Sequence, residues 1–291
     1  MLKPLMRVLD RLAPPSDGTG PAAAREALGL SAGLVVVLAV SKPLLDGALG
    51  LPGAAFTLAA AWQLFLPLDR LDARRVDPAT FGIHAHGLIS VPLRRFQLLM
   101  DRVFRRGALR SVGRGVAAMV RPYARVRRVA WRGAARDLGL CAAASILTFP
   151  VFGVCYVIFQ DLLAQQRGSH AVFHFTLPPD LLSLLATHIL LVGLVEELFY
   201  RGYIHTLLVR AWPPGFTIAG ASVGKAVLVG SALFALGHFA GEWNPLRLGP
   251  FFPALLFCAL RSWSGSILGA VIYHGLSNVV GEVMRVSVTL H

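Results

Sequence analysis

Long apolar runs, interrupted only by isolated charges, dominate the pattern of this chain. The clearest extends from Leu138 to Gln160, 23 residues without a charge. Leu51 to Leu68 gives 18 more, and Ala27 to Val40 continues through Ser41 toward Leu49 with Lys42 as its only cation. Later runs cover about 181–209, 219–240, 250–260 and 265–281. The last two are short, and Arg261 between them marks a tight turn at an interface. A helix needs roughly 20 apolar residues to cross the hydrocarbon. The pattern therefore predicts an all-α fold, a polytopic transmembrane helical bundle of about seven spans (six to eight). It reads as a single integral membrane domain over 1–291.

A basic stretch over 94–136 has a different periodicity. Phe96, Leu99, Met100 and Val103 share one helical face, and Arg95, Arg102, Arg106 and Arg110 share another. Beyond Pro122, Arg125, Arg128, Arg132 and Arg136 recur every three or four residues. Both segments read as amphipathic helices lying in the interface, with arginines reaching lipid phosphates.

Composition agrees with membrane residence. Hydrophobic residues make up 55 % of the chain and charged residues 15 %, against about 25 % charged in a soluble domain. That excludes a disordered chain, a disulfide scaffold and an ordinary cytosolic enzyme. Cys141, Cys155 and Cys258 lie in apolar runs without CxxC or CxxH spacing and read as packing residues. No cleavable signal peptide is evident, so the first apolar stretch reads as a retained span.

The net charge of +13 is concentrated in the 94–136 window, which holds thirteen Arg against the single acid Asp101. With apolar segments on both sides, this block reads as a cytoplasmic loop facing anionic lipid rather than as a nucleic-acid patch. Seven crossings would then put the amino terminus inside, the Asp161–Asp180 connection outside and the carboxyl terminus outside. High Arg and Ala content points to a GC-rich bacterium and hence to its inner (cytoplasmic) membrane. Gly-x-x-x-Gly pairs such as Gly237/Gly241 are no more frequent than 29 glycines predict by chance, so they carry no information.

The chemistry lies in polar residues set within apolar helices. Between Leu181 and Arg201 two adjacent carboxylates, Glu196 and Glu197, interrupt an apolar run. Each mid-helix charge costs about 2.5–3.5 kcal/mol on insertion scales, so such groups point to function. Glu197 and Arg201 are spaced i,i+4 with the acid first, the favourable order for an ion pair. Glu196 points about 100° away around the helix and has no partner on it. The next span carries Phe234-x-x-x-His238 and the last His274-x-x-x-Asn278, each pair on one face. A desolvated carboxylate is a plausible base near neutral pH, a neighbouring imidazole can share a water with it, and a His/Asn pair supplies donors for an oxyanion. His188 and His205 read as helix–helix hydrogen-bonding residues. His170 and His174, i,i+4 in the outer connection, lack a third metal ligand and read as coincidental.

In this order on successive late helices, Glu196-Glu197-x-x-x-Arg201, Phe234-x-x-x-His238 and His274-x-x-x-Asn278 resemble the CPBP family of intramembrane proteases. That family comprises the CaaX prenyl endopeptidase Rce1-like enzymes and their bacterial relatives. The likeness covers about 181–281, read here as the catalytic core helices, and implies a glutamic-type intramembrane endopeptidase. Glu196 with His238 would activate water, His274 with Asn278 would bind the oxyanion, and Glu197 and Arg201 would support them. The implied substrate is a membrane-anchored or lipid-modified protein or peptide, cut near its carboxyl terminus. No cofactor is implied. Glu/His ligands also suit zinc, but the carboxamide and the paired Glu197 fit a metal-free mechanism better.

Two rival readings stand beside it. One is a non-proteolytic binding, immunity or scaffold protein on the same helices. The other is a proton-coupled transporter, against which the lack of repeated halves counts. The run boundaries also create a conflict: at about 1.5 Å per residue, Glu196 and His238 would differ in depth by roughly 18 Å. The catalytic reading therefore requires helices longer than the runs, or the Gly241–Pro253 segment buried in protein.

Overall fold

A computed structural model of the protein describes residues 19–103 and 128–290. The first long helix, α1, covers Gly20–Ala48, with Pro21 in its first turn, where a missing N–H costs nothing. Its last seven residues, Lys42–Ala48, widen to i→i+5 hydrogen bonding. Helix α2 (Ala54–Ala73) packs back against α1, and α3 (Ser90–Val103) follows a short irregular segment. Then come α4 (Trp131–Gln165), α5 (Leu181–Ala211), α6 (Lys225–Glu242), α7 (Phe251–Ser264) and α8 (Leu268–Ser287).

Two small antiparallel ladders fasten the connections. Strand β1 (Ala171–Phe173) pairs with β4 (Val288–Leu290), with Val172 opposite Thr289, and so ties the segment after α4 to the end of α8. Strands β2 (Phe216–Ile218) and β3 (Ala221–Val223) form a hairpin that leads into α6. The core lies where α5 meets α1, α6, α7 and α8, and includes Phe199, Tyr203, Leu207, Phe234 and Phe257.

The expected seven spans, six to eight, are not what this fold contains. Among the described residues, three helices are long and apolar enough to cross a membrane: Gly20–Ala48, Trp131–Gln165 and Leu181–Ala211. The expected 219–240 run begins in the β2–β3 hairpin, and its helix is only 18 residues long. Helix α7, with 14 residues, measures about 21 Å, short of a 30 Å hydrocarbon layer.

What separates the three from α6, α7 and α8 is length and composition: α6 includes Lys225 and Glu242, α7 is short, and α8 includes Glu282 and Arg285. The apolar side chains also differ in direction from helix to helix. Those of α4 face outward, with Ile146 73 % and Leu147 72 % exposed. On α6, α7 and α8, Phe234, Phe257 and Ala270 face inward and form part of the bundle's core, while Leu228 and Phe252 face outward. The orientation derived from seven crossings loses its basis with them. The coarser result stands: an all-α core with apolar helices of membrane-spanning length.

Part of the basic stretch is also reassigned. Arg132 and Arg136 ride on the first turns of α4 rather than on a separate interfacial helix. Residues 104–127, with Arg106, Arg110 and Arg125 among them, lie outside the described residues. Helix α3 exposes Phe96, Leu98, Leu99 and Val103. Its leading segment is clamped to the start of α4: the Ala130 N–H donates to the His86 carbonyl at 2.8 Å, and His86 Nε2 lies 3.1 Å from the buried Asp137 carboxylate.

Candidate active site

Helix α5 carries both carboxylates on a short regular stretch, Leu194–Glu197, between two widened ones, Thr187–Gly193 and Leu198–Ile204. The Leu194 N–H bonds to Ile189 O and the His205 N–H to Tyr200 O, both i→i−5. Such widened turns often accompany functional sites because they re-aim side chains within a helix.

Two glycines let α8 approach α5 closely. A Cβ on Gly193 would lie 2.8 Å from the Val271 carbonyl oxygen, and one on Gly275 would lie 2.9 Å from Ile189 Cα. Any larger residue would drive the helices apart, and His274, next to Gly275, would move with α8. Neither glycine belongs to a Gly-x-x-x-Gly pair, so sequence spacing does not mark them.

Glu197 and Arg201 meet as the i,i+4 spacing requires, with Arg201 Nη1 3.1 Å from Glu197 Oε1 and both side chains buried. The guanidinium also donates to the Ala254 carbonyl at 3.3 Å. It lies over the rings of Phe234 and Phe257, 4.3 and 4.7 Å from their centroids. The same Glu197 oxygen accepts from His274 Nδ1 at 2.8 Å. His274 stacks on Phe257 with an interplanar angle of 17°, so its ring is fixed on one edge and one face.

Glu196 points elsewhere. Its Oε2 is buried with no hydrogen-bond partner, and it lies 3.9 Å from His238 Nε2 and 3.9 Å from His274 Nε2. The 18 Å depth conflict therefore disappears: α6, Lys225–Glu242, is not one of the three helices of spanning length, so its end does not mark the surface at which α5 begins, and His238 lies level with Glu196.

Proton positions follow from the partners. A carbonyl oxygen only accepts, so His238 Nδ1 holds a proton and donates it to Phe234 O at 3.1 Å. His274 Nδ1 likewise donates to the Glu197 carboxylate. In the neutral imidazoles both Nε2 atoms are then acceptors, and they converge on a carboxylate oxygen that is also an acceptor. Three acceptors around one small space call for a donor, and a water with two protons to give and a lone pair to spare meets that need.

Asn278 and His274 line the same cavity but do not bond to each other. Asn278 Nδ2 instead faces His188 Nδ1 at 3.3 Å. The sequence alone reads His188 as helix glue, although it stands about two turns before Glu196 on α5, an i,i+8 spacing that falls within one helical stripe. Tyr200 also lines the cavity, its ring edge-on to Phe234 with centroids 5.0 Å apart. Other histidines lie apart. His205 is buried within the bundle, and His170 is exposed beside Asp161 at 3.3 Å. Cys141 and Cys258 are buried and Cys155 is exposed; all three are free thiols.

The cavity has a volume of about 580 Å³, and the α1–α2 pair closes it with Leu38, Phe56, Ala59 and Gln63. Its rim carries the pairs Lys42–Asp46 (3.8 Å) and Arg247–Glu242 (2.5 Å). Hydrogen bonding from Arg247 holds the Glu242 carboxyl below its ordinary range.

Among the described residues no group of three or more His, Cys, Asp or Glu is arranged to hold a metal ion. The 3.9 Å separations around Glu196 are wider than ligands held about 2.0–2.1 Å from one tetrahedral zinc would keep. The residues as placed do not form a zinc donor set.

Residues 178–280 match the family model described as Type II CAAX prenyl endopeptidase Rce1-like. The matched residues make up about a third of the chain and include every site residue named above from His188 to Asn278. No curated protein and no solved structure matches the chain.

Proposed function

We propose that this protein is an intramembrane endopeptidase of the glutamic type. It would hydrolyse a peptide bond near the carboxyl terminus of a membrane-anchored or lipid-modified protein, in a bacterial inner membrane. One observation carries the reading: the Glu196 carboxylate has a buried, unpartnered oxygen equidistant, at 3.9 Å, from two imidazole nitrogens that can only accept while neutral. A water held there donates to Glu196 and His238 and attacks the scissile carbonyl carbon through its lone pair. Its proton passes to Glu196 or His238 as the new C–O bond forms. The carbonyl oxygen becomes an oxyanion and accepts from the Asn278 amide, joined by His274 Nε2 when that nitrogen enters the cycle carrying a proton from solvent, which it keeps throughout. The proton held by the acid–base pair then goes to the leaving nitrogen as the C–N bond breaks. No covalent enzyme intermediate is needed.

The test is cleavage of a membrane-tethered peptide by the purified protein in vesicles, with and without 1,10-phenanthroline. Hydrolysis unchanged by the chelator is expected. Complete, zinc-reversible inhibition would overturn the metal-free mechanism, and no cleavage of any tethered peptide would favour a scaffold.

Helix α3 would lie on anionic lipid. Charge complementarity supports this, as does the clamp that joins its base to the start of α4, where Trp131 is 70 % exposed beside Arg132, an arrangement typical of a membrane interface. With a spin label at Leu99 in phosphatidylglycerol vesicles, oxygen should relax the label more strongly than an aqueous nickel reagent does. The opposite ranking would reject the placement.

A further inference from the structure

We infer that His188 is a positioning residue that fixes which end of the Asn278 carboxamide faces α5, and thereby presents the amide's second N–H to the oxyanion. The inference rests on the hydrolytic reading above and adds to it a residue from outside the three motifs.

A carboxamide can turn by 180° and exchange its nitrogen and oxygen with little change in shape. Only the nitrogen end has protons, so only one of the two orientations stabilises an oxyanion. Something must break that symmetry, and the contact between Asn278 Nδ2 and His188 Nδ1 at 3.3 Å does so. Nδ2 can only donate, so His188 Nδ1 accepts and the imidazole proton sits on Nε2. While the imidazole proton stays on Nε2, turning the amide over would set Oδ1 against the same lone pair, acceptor against acceptor; the turn requires that proton to move to Nδ1 as well. With one amide proton used on His188, the other Nδ2–H remains for the cavity that His188, Asn278, Glu196, His238 and His274 all line.

The surroundings leave this choice to His188. No other hydrogen bond to the Asn278 side chain competes with it among the described residues. Close packing of Gly193 against Val271 and of Gly275 against Ile189 fixes α5 and α8 relative to each other. His188 and Asn278 are therefore held at hydrogen-bond distance by backbone on both sides.

The test compares side chains at 188 that differ in what they offer Asn278. In the vesicle cleavage assay, His188→Ala should lower kcat about 10- to 100-fold with KM changed less than threefold, below the 10²–10³-fold loss for removal of an oxyanion donor itself. His188→Gln, whose Oε1 can accept from Nδ2, should recover to within about fivefold of the parent. His188→Lys has only donors and should do no better than alanine. His188→Ala with Asn278→Ala should be no slower than Asn278→Ala alone, because the two act as one unit.

A second measurement is independent of turnover. The chain has two asparagines, Asn244 and Asn278, so asparagine-selective ¹⁵N labelling gives two side-chain amides, which Asn278→Ala tells apart. The Asn278 NH₂ protons should be well separated in the parent, converge in His188→Ala and separate again in His188→Gln. Full kcat in His188→Ala, or an Asn278 amide signal that ignores residue 188, would overturn the inference. An inactive Glu196→Gln beside a fully active His188→Ala would sink this inference alone. An active Glu196→Gln would instead sink the hydrolytic reading, while the amide spectra would still judge the His188 contact.

Discussion

Glu196→Gln should reduce peptide hydrolysis by about 10²–10⁴-fold, the range a positioned general base contributes, and leave the fold intact. The substitution preserves shape and removes one charge. Glu196 Oε2 has no hydrogen-bond partner and lies 3.9 Å from both imidazoles, so no ion pair at bonding distance is broken. Its neutral replacement relieves a buried, incompletely solvated carboxylate, and unfolding in mixed micelles should occur at or slightly above the parent's midpoint. Glutamine can still donate from Nε2 to an imidazole, but it cannot take a proton from water. The loss should therefore fall in kcat, with KM nearly unchanged. His238→Ala should show a similar kcat loss, whereas the adjacent Glu197 belongs to a different circuit. If Glu196→Gln cleaves at more than a tenth of the parental rate, the general-base role is wrong.

Much of this site could be read from spacing alone, because i,i+4 geometry is local. The Glu197–Arg201 ion pair and the isolation of Glu196 from its own helix both follow from 3.6 residues per turn, and both hold at 3.1 Å and in an unpartnered oxygen. The long-range facts could not be read this way. Nothing in the pattern distinguishes Phe257, which stacks on His274 inside the bundle, from Ile146, which faces outward. Core and lipid select the same residue types, whereas the helix lengths and the charges they enclose, which reduce seven apolar runs to three helices of spanning length among the described residues, show only once the helices are drawn. His188 escapes notice for a related reason: its partner lies 90 residues away, on another helix. The close contacts at Gly193 and Gly275 depend on which backbone faces them, which no spacing rule encodes.

The ion pair beneath the site makes the second large prediction. Arg201→Met should cost about 3–5 kcal/mol of stability, the usual penalty for removing one partner of a buried pair. Arg201 is 1 % exposed and Glu197 fully buried. Without the guanidinium, Glu197 keeps only His274 Nδ1 as a donor, and the Ala254 carbonyl and the faces of Phe234 and Phe257 lose their cation.

The double variant Glu197→Gln with Arg201→Met removes both charges. Replacing a whole buried pair by neutral groups is often neutral or stabilising, so its midpoint should return to within about 1–2 kcal/mol of the parent. Activity should not recover in parallel. The new carboxamide still offers an oxygen to His274 Nδ1, but it is neutral, so it stabilises a protonated His274 far less than a carboxylate does. Recovered stability with kcat still depressed assigns the pair two separable functions: holding α5 against α7, and priming His274 for its proton. Were Arg201→Met to unfold within about 1 kcal/mol of the parent, well short of the buried-pair penalty, the guanidinium would be a passenger, and the orientation of His274 would have to come from Phe257 alone.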